Sequence, residues 1–276
     1  ALGDAGVEWV QIDEPILALD LTRPWQRALQ RAYTSLKTYG TKTLLALYFG
    51  PLRENLDTVL ELPIAGLHLD AVRGGEELET VAEKLPPDTV LSAGVIDGRN
   101  VWRADLNGVL DTVEPLYRKL GERLWIAPSC SLLHVPVNLE LEQKLDPEIA
   151  EWLAFAKQKL AEVKTVSRAL TAGRGAVAAE LAENAAALQR RRSSARITDG
   201  AVQSRLSTVE ERMARRSSPY GERRKKQGAH LQLPAYPTTT IGSFPQTAEI
   251  RKARRAHKRG RMSRADYERV MREQIA

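Results

Sequence analysis

The sequence predicts an α/β fold of the (β/α)8 barrel type, represented by only five of the eight strands. Three observations predict it. Short apolar, strand-like runs recur along the first half, amphipathic helical patterns separate them, and the runs begin about 23 to 36 residues apart. That spacing suits repeated βα units and a parallel sheet.

The first run, VEWVQID (7–13), is rich in Val and Ile and ends in Asp13, Glu14 and Pro15. TRPWQRALQRAYTSLKTYG (22–40) follows as a helix, with Trp25, Leu29, Ala32 and Leu36 on one face and Gly40 as its stop. TLLALYFG (43–50) is the second strand and ends in Gly-Pro; LRENLDTVLELP (52–63) is an amphipathic helix ending at proline. GLHLDAV (66–72) is the third strand, closed by Arg73, Gly74 and Gly75, with a helix over 76–86 behind it. TVLSAGVID (89–97) is the fourth, and RLWIAPS (123–129) the fifth. Between them, 104–121 reads as a helix that ends at Gly121 after Arg118 and Lys119, the charge a helix C-terminus prefers. Five strands with no change in spacing favour part of a barrel over a complete doubly wound sheet. Five cannot close an eight-stranded barrel, so either the fold is not a barrel or further strands lie outside this sequence.

Residues 145–173 predict one long helix with Asp146 as N-cap, Pro147 at the first helical position and Glu148 in the first turn. The Ala-rich stretch 176–194 predicts another helix. Residues 190–228 are polar, basic and poor in large apolar side chains, as in a connection over the surface. PTTTIGS (237–243) is strand-like, a basic helix follows and stops at Gly260, and Ser263 with Asp266 resembles a capping box.

Charge divides along the same line. Residues 1–186 hold 19 basic and 27 acidic side chains, whereas residues 187–276 hold 22 basic and 8 acidic. The excess suggests either two kinds of domain or a tail for an acidic partner. The single cysteine, Cys130, excludes an intramolecular disulfide and suits a reducing compartment. No apolar run reaches the roughly 18 to 20 residues that span a bilayer, and the N-terminus has no signal-peptide pattern.

The polar side chains collect where strands end: Asp13, Glu14, Asp70, Asp97, Arg99, Asn100, Ser129, Cys130, Ser131 and His134. Ligand sites of parallel α/β folds form at those ends. Asp13 and Glu14 read either as a substrate-binding or acid/base pair, or as turn residues before Pro15. Cys130 and His134 are too few for zinc, so a small buried thiol is the simpler reading. His68 and Asp70 share one side of a strand and read as a hydrogen-bonded histidine rather than a ligand pair. In 238–247, Gly242 admits a ligand close to the backbone, Ser243 offers a hydroxyl and an amide, and a helix start near Thr247 suits a carboxylate; a plain strand–turn–helix junction fits equally. RRKK (223–226) and 251–261 lack the aromatics that stack on bases, so solvated faces account for them and nucleic acid is not expected.

WVQIDEP, LLALYFG, GLHLDAVRG, LSAGVIDGRNVWRADL, LWIAPSCSLLHVPV and LPAYPTTTIGSFPQTAEIR, in this order, resemble cobalamin-independent methionine synthase, the 5-methyltetrahydropteroyltriglutamate–homocysteine S-methyltransferase family. The resemblance runs end to end but covers roughly the middle third of the family's chain. It implies two (β/α)8 barrels. Residues 1–170 would be the later strands of the N-terminal barrel, 171–232 a helical, basic connection, and 233–276 the first strand and helices of the catalytic barrel. It implies methyl transfer from polyglutamylated 5-methyltetrahydrofolate to homocysteine, giving methionine, without cobalamin. A zinc ion held by His, Cys and Glu of the catalytic barrel would activate the thiol, and its ligands would lie outside this chain. Ile241, Gly242 and Ser243 would contact the amino-acid end of homocysteine or methionine. Cys130 would be the vestige of a metal position in a copy of the barrel that has lost its zinc. A cytoplasmic enzyme, monomeric when whole, is implied, and the isolated segment is expected to be inactive. Outside this family, the other reading is a non-catalytic scaffold whose basic last third grips a polyanion.

Overall fold

In a computed structural model, residues 2–36, 41–238 and 246–275 are described. They divide into two compact units, residues 1–204 and 205–276.

The first unit is built on five parallel strands: β1 (Trp9–Asp13), β2 (Lys42–Ala46), β3 (Gly66–Asp70), β4 (Val90–Ile96) and β5 (Leu124–Pro128). They hydrogen-bond in chain order, β1-β2-β3-β4-β5, so the sheet is wound in one direction without a switch point. The connections are helical: α1 (Arg23–Leu36), α2 (Leu56–Leu60), α3 (Leu78–Lys84) and α4 (Leu106–Leu120).

Alternation along each strand sorts side chains onto two faces. Leu45, Leu67, Leu69, Leu91, Ala93 and Leu124 point outward and join Val81, Leu110, Val113 and Val166 from the helices in one core. The other face carries Trp9, Gln11 and Asp13 of β1, in register with Lys42, Leu44 and Ala46. It continues through Gly66, His68 and Asp70 to Val90, Ser92 and Gly94.

Two tryptophans show that the sheet is curled. A flat sheet would hold its first and fifth strands about 19 Å apart, four strand spacings. Trp9 of β1 and Trp125 of β5 instead meet edge to face with ring centroids 4.8 Å apart. Gly66, on the strand midway between, makes the room: a Cβ there would stand 3.3 Å from the Trp9 ring and 2.8 Å from Leu44 Cδ1. Inward side chains from alternate strands meet in this way inside a (β/α)8 barrel. Among the described residues β1 and β5 pair with no further strand, so the curl is an open part-barrel.

Two helical expectations are corrected. α1 buries Tyr33 rather than Trp25, which is 60% exposed; Ala32 and Leu36 are exposed as well. The inward stripe runs through Leu29 and Tyr33, four residues apart, and the Tyr33 hydroxyl reaches Glu14 at 3.4 Å. The helix expected over 145–173 is two helices, α5 (Pro147–Glu151) and α6 (Ala156–Ala172). Between them Leu153 bridges Trp102, Arg103 N–H donates to Trp152 O, and Ala154 N–H donates to Val101 O. Those bonds draw the chain out of the helix and bury Trp152, Leu153, Ala154 and Phe155 in succession. The Asp146 cap holds, accepting from Glu148 N–H at 3.0 Å.

Helix α7 (Ala178–Ser193) packs on α4 and completes the first unit, which extends into α8 (Gly200–Ser207). Three buried polar side chains fasten the segment that leads into α4. Lys159 donates to Trp102 O at 3.1 Å, Glu162 accepts from Ala104 N–H at 3.0 Å, and Asn184 bonds both Ala104 O and Leu106 N–H. Asp105 then caps α4 by accepting from Gly108 N–H. Asp105→Ala is expected to cost about 1 kcal/mol of stability, read as a shift of the urea midpoint with an unchanged slope.

The second unit contains α9 (Tyr220–Leu231), α10 (Ala248–Lys258) and α11 (Arg264–Ile275). Thr247 caps α10 by accepting from Ile250 N–H, and Gly260 takes a φ of +68° after it. Ser263 and Asp266 bond reciprocally at the start of α11. His257 stacks on Tyr267 with centroids 4.8 Å apart, tying the two helices together. Gly40 and residues 239–245 lie outside the described residues, so the expected helix stop and most of the expected strand over 237–243 do too.

Candidate functional site

The C-terminal ends of the five strands open on the concave face. Asp13 and Tyr48 stand at the ends of β1 and β2. Gln11 donates to Asp13 Oδ1 at 2.8 Å and to the Tyr48 hydroxyl at 2.7 Å, and that hydroxyl donates to Asp13 Oδ1 at 3.1 Å. Burial first, and the Asp13 charge second, push the Tyr48 phenol well above its ordinary value, so it stays a neutral donor. Glu14 faces the opposite way, toward Tyr33. Period-two alternation separates the adjacent carboxylates, so they do not share a proton or a ligand from one face.

His68, on β3, is in register with Ala46 of β2. Its Nδ1 is 2.9 Å from Ser92 Oγ and its Nε2 is 3.4 Å from Ser129 O. A carbonyl can only accept, so Nε2 carries the proton and Nδ1 accepts from Ser92. Both ring nitrogens are used within the fold, as expected for a hydrogen-bonded histidine. Burial holds its pKa below the ordinary 6.5. The unfolded ring therefore takes up a proton at higher pH than the folded one. The stability this ring supports is complete above about pH 6.5 and falls as the pH drops below it. Urea midpoints at pH 7.5 and 5.5 are expected to differ more in the parent than in His68→Gln.

Asp70 anchors the mouth. Its side chain is fully buried. It accepts from Phe49 N–H at 3.0 Å, from Val72 and Arg73 N–H at 3.1 Å each, and from Arg73 Nη1 at 3.2 Å. The same guanidinium lies 3.8 Å from Asp97. Asp97 accepts from Arg99 N–H at 2.8 Å and from the Asn100 side-chain amide at 2.6 Å. Asp70, Arg73 and Asp97 thus join the loops after β3 and β4 in one ionic network. Ser129, fully buried, accepts from Gly98 N–H at 3.1 Å and links the β5 loop to it.

Cys130 is buried in a small cluster with Ala46 and Tyr48. Burial raises its thiol pKa, the opposite of what a metal ligand or nucleophile needs. Among the described residues no group of three or more His, Cys, Asp or Glu side chains is placed to hold a metal. The residues around Cys130 do not fit zinc. Ile241, Gly242 and Ser243 lie outside the described residues.

Composition did not single out three residues that shape this mouth: Tyr48, Phe49 and Arg73. The signal available was position, since all three stand just beyond strand ends. Among the described residues no helix is long and apolar enough to cross a membrane.

Comparison with known proteins adds the following. The family model described as "Cobalamin-independent synthase, N-terminal domain" matches residues 1–121, and the model described as "Cobalamin-independent synthase, Catalytic domain" matches residues 236–276. A curated protein of Saccharophagus degradans, named 5-methyltetrahydropteroyltriglutamate–homocysteine methyltransferase, is 51% identical over 275 residues. That match takes in 100% of this chain and 36% of the relative, so the chain spans about a third of the relative's length. Among solved structures, a methyltransferase from Methanosarcina mazei aligns at 17% identity over 48% of this chain and 38% of its own, with a TM-score of 0.36. That superposition is too loose to bear on the fold.

Proposed function

We propose, for a chain that belongs to the cobalamin-independent synthase family, that it is the middle section of an enzyme moving a methyl group from 5-methyltetrahydropteroyltriglutamate to homocysteine. The observation that carries this reading is the order of the two domain matches within one chain, at 51% identity to a single relative. Residues 1–170 are then the later part of an N-terminal barrel, 171–232 the connection, and 233–276 the opening of the catalytic barrel. The parallel, singly wound, curled sheet supports the first assignment.

On this reading the part-barrel is a support rather than a reaction centre. Its mouth polar groups are satisfied within the fold: Asp70 has four donors, His68 uses both nitrogens, and the Cys130 thiol is buried. A zinc ion that activates the homocysteine thiol would be held by catalytic-barrel residues outside this chain. Ile241, Gly242 and Ser243 supply the contact to the amino-acid end of homocysteine. The cytoplasm is the proposed location, with a monomeric whole enzyme.

The test is a chimera. This chain replaces the matching 275 residues of the Saccharophagus degradans relative, and methionine formation is assayed. Activity within about tenfold of the relative is expected, and a folded chimera that forms no methionine overturns the reading. In the active chimera, Ser243→Ala is expected to raise the KM for homocysteine with a smaller change in kcat. An unchanged KM removes that role.

A further inference from the structure

The loop after β4 ends in a strap, residues 102–106, that leads into α4. Lys159 and Glu162 of α6 and Asn184 of α7 tie it down from beneath. Two of these three side chains are ionisable and have hydrogen-bonding capacity left over. Glu162 is 8% exposed; one carboxyl oxygen accepts from Ala104 N–H, and the other, Oε2, is buried with no partner among the described residues. Lys159, one turn earlier, is fully buried, and Trp102 O is the one acceptor its amine has among the described residues. A longer chain could only bury these groups further.

A buried carboxylate with a single donor is poorly held as an ion. The charged groups around Glu162 do not make up the deficit. Lys159, on the same helix, forms no ion pair with it. Arg103, from the strap, is engaged by Glu183 of α7 at 3.1 Å, and Glu180 of α7 is engaged by Arg168 at 3.0 Å. Asp105, at the start of α4, carries the same sign as Glu162 itself. Burial outweighs the Ala104 donor and the Lys159 and Arg103 charges, and it holds the Glu162 carboxyl above its ordinary 4.5.

We propose that Glu162 is a proton-operated clasp: as the neutral acid it holds Ala104 against α6, and on ionising it leaves for water and loosens the loop that carries Asp97, Arg99 and Asn100. The clasp is independent of the methyl-transfer reading. The folded carboxyl keeps its proton to a higher pH than the unfolded one. The hold is therefore complete below about pH 4.5 and is lost as the pH rises through the folded pKa. His68 acts on the fold in the opposite sense, so the clasp is read locally and not from the stability of the whole.

The test is amide hydrogen exchange at Ala104 in the 276-residue chain, expressed as a protection factor so that the pH dependence of intrinsic exchange cancels. Between about pH 5 and pH 8.5 the parent is expected to lose about fivefold in protection, the scale of one hydrogen bond. Glu162→Gln keeps the shape and cannot ionise; it is expected to match the parent at the lower pH and to hold that value at the higher. A carbon-13 titration of the parent's Glu162 carboxyl is expected to have its midpoint above 4.5. A midpoint at or below that value overturns the clasp, as does the same pH dependence in parent and glutamine variant. Weaker protection in the glutamine variant than in the parent at the higher pH also overturns it, because the ion is then the form that holds Ala104. Loss of the parent's pH dependence in Lys159→Met assigns the titration to the amine and removes Glu162 from the role.

Discussion

Asp70→Ala is expected to destabilise the first unit by about 3 to 5 kcal/mol, the range for removing one partner from a buried charged network. The carboxylate is fully buried and accepts four hydrogen bonds, three of them from backbone N–H groups of two different loops. Alanine leaves those donors without an acceptor and Arg73 with only Asp97 at 3.8 Å. It also frees Phe49 to leave its left-handed conformation. Asp70→Asn keeps the volume and one acceptor oxygen but turns an amide NH2 toward N–H donors, so a loss of about 2 kcal/mol is expected. The ordering Ala worse than Asn worse than parent is read from urea midpoints. A loss below about 1 kcal/mol for alanine would mean that water replaces the carboxylate and that Asp70 does not hold the mouth.

Gly94→Ala is expected to be at least as severe, about 3 kcal/mol or more, and to appear as insoluble or partly unfolded protein. A Cβ at Gly94 would stand 2.7 Å from Leu69 O, 2.8 Å from Ser129 Cα and 2.9 Å from His68 Cε1. Two of those atoms are backbone of neighbouring loops or strands, and the third belongs to a ring fixed at both nitrogens. None can move aside as the end of a flexible side chain would. Gly108→Ala is the control. Its Cβ would meet nothing closer than 3.4 Å, at Asp105 Cγ, and it lies inside α4, where alanine is the better helix former. A neutral or slightly raised midpoint is expected there. Equal behaviour of the two variants would remove the packing explanation for Gly94.

Much of the first unit was legible residue by residue. Four of the five strands lie within their apolar runs and β2 starts one residue ahead of its run, because a strand buried on its outer face must be apolar whatever it packs against. The caps at Asp146 and Ser263, and the stop at Gly260, were legible because capping is a local matter of one side chain and one or two backbone groups. The helical errors share a cause. Trp25 fits an amphipathic face as well as Tyr33 does, and only the position of Glu14 and the core decides which is buried. The break at 152–155 leaves no local mark, since its cause is a backbone bridge to residues 101–103 some fifty positions earlier.

The mouth was legible as a list of residues and not as an arrangement. Asp13, Glu14, Asp70 and Asp97 all stand at strand ends, yet only the fold shows that Asp13 joins Tyr48 while Glu14 faces α1, and that one arginine joins Asp70 to Asp97. The strain at Phe49 has no sequence signature, because a φ of +76° is ordinarily announced by glycine, and the glycine here is the next residue, Gly50.

What the sequence determined alone is whatever depends on neighbours within a turn or a pleat: the kinds of element, their order, their caps and the change of charge near residue 187. Tertiary structure alone decided the curl that brings Trp9 to Trp125, the donors that converge on Asp70, and the exposed ring at Phe49. Those features join residues tens of positions apart, and their energies come from burial, clash and charge in space, which separation along the chain does not encode.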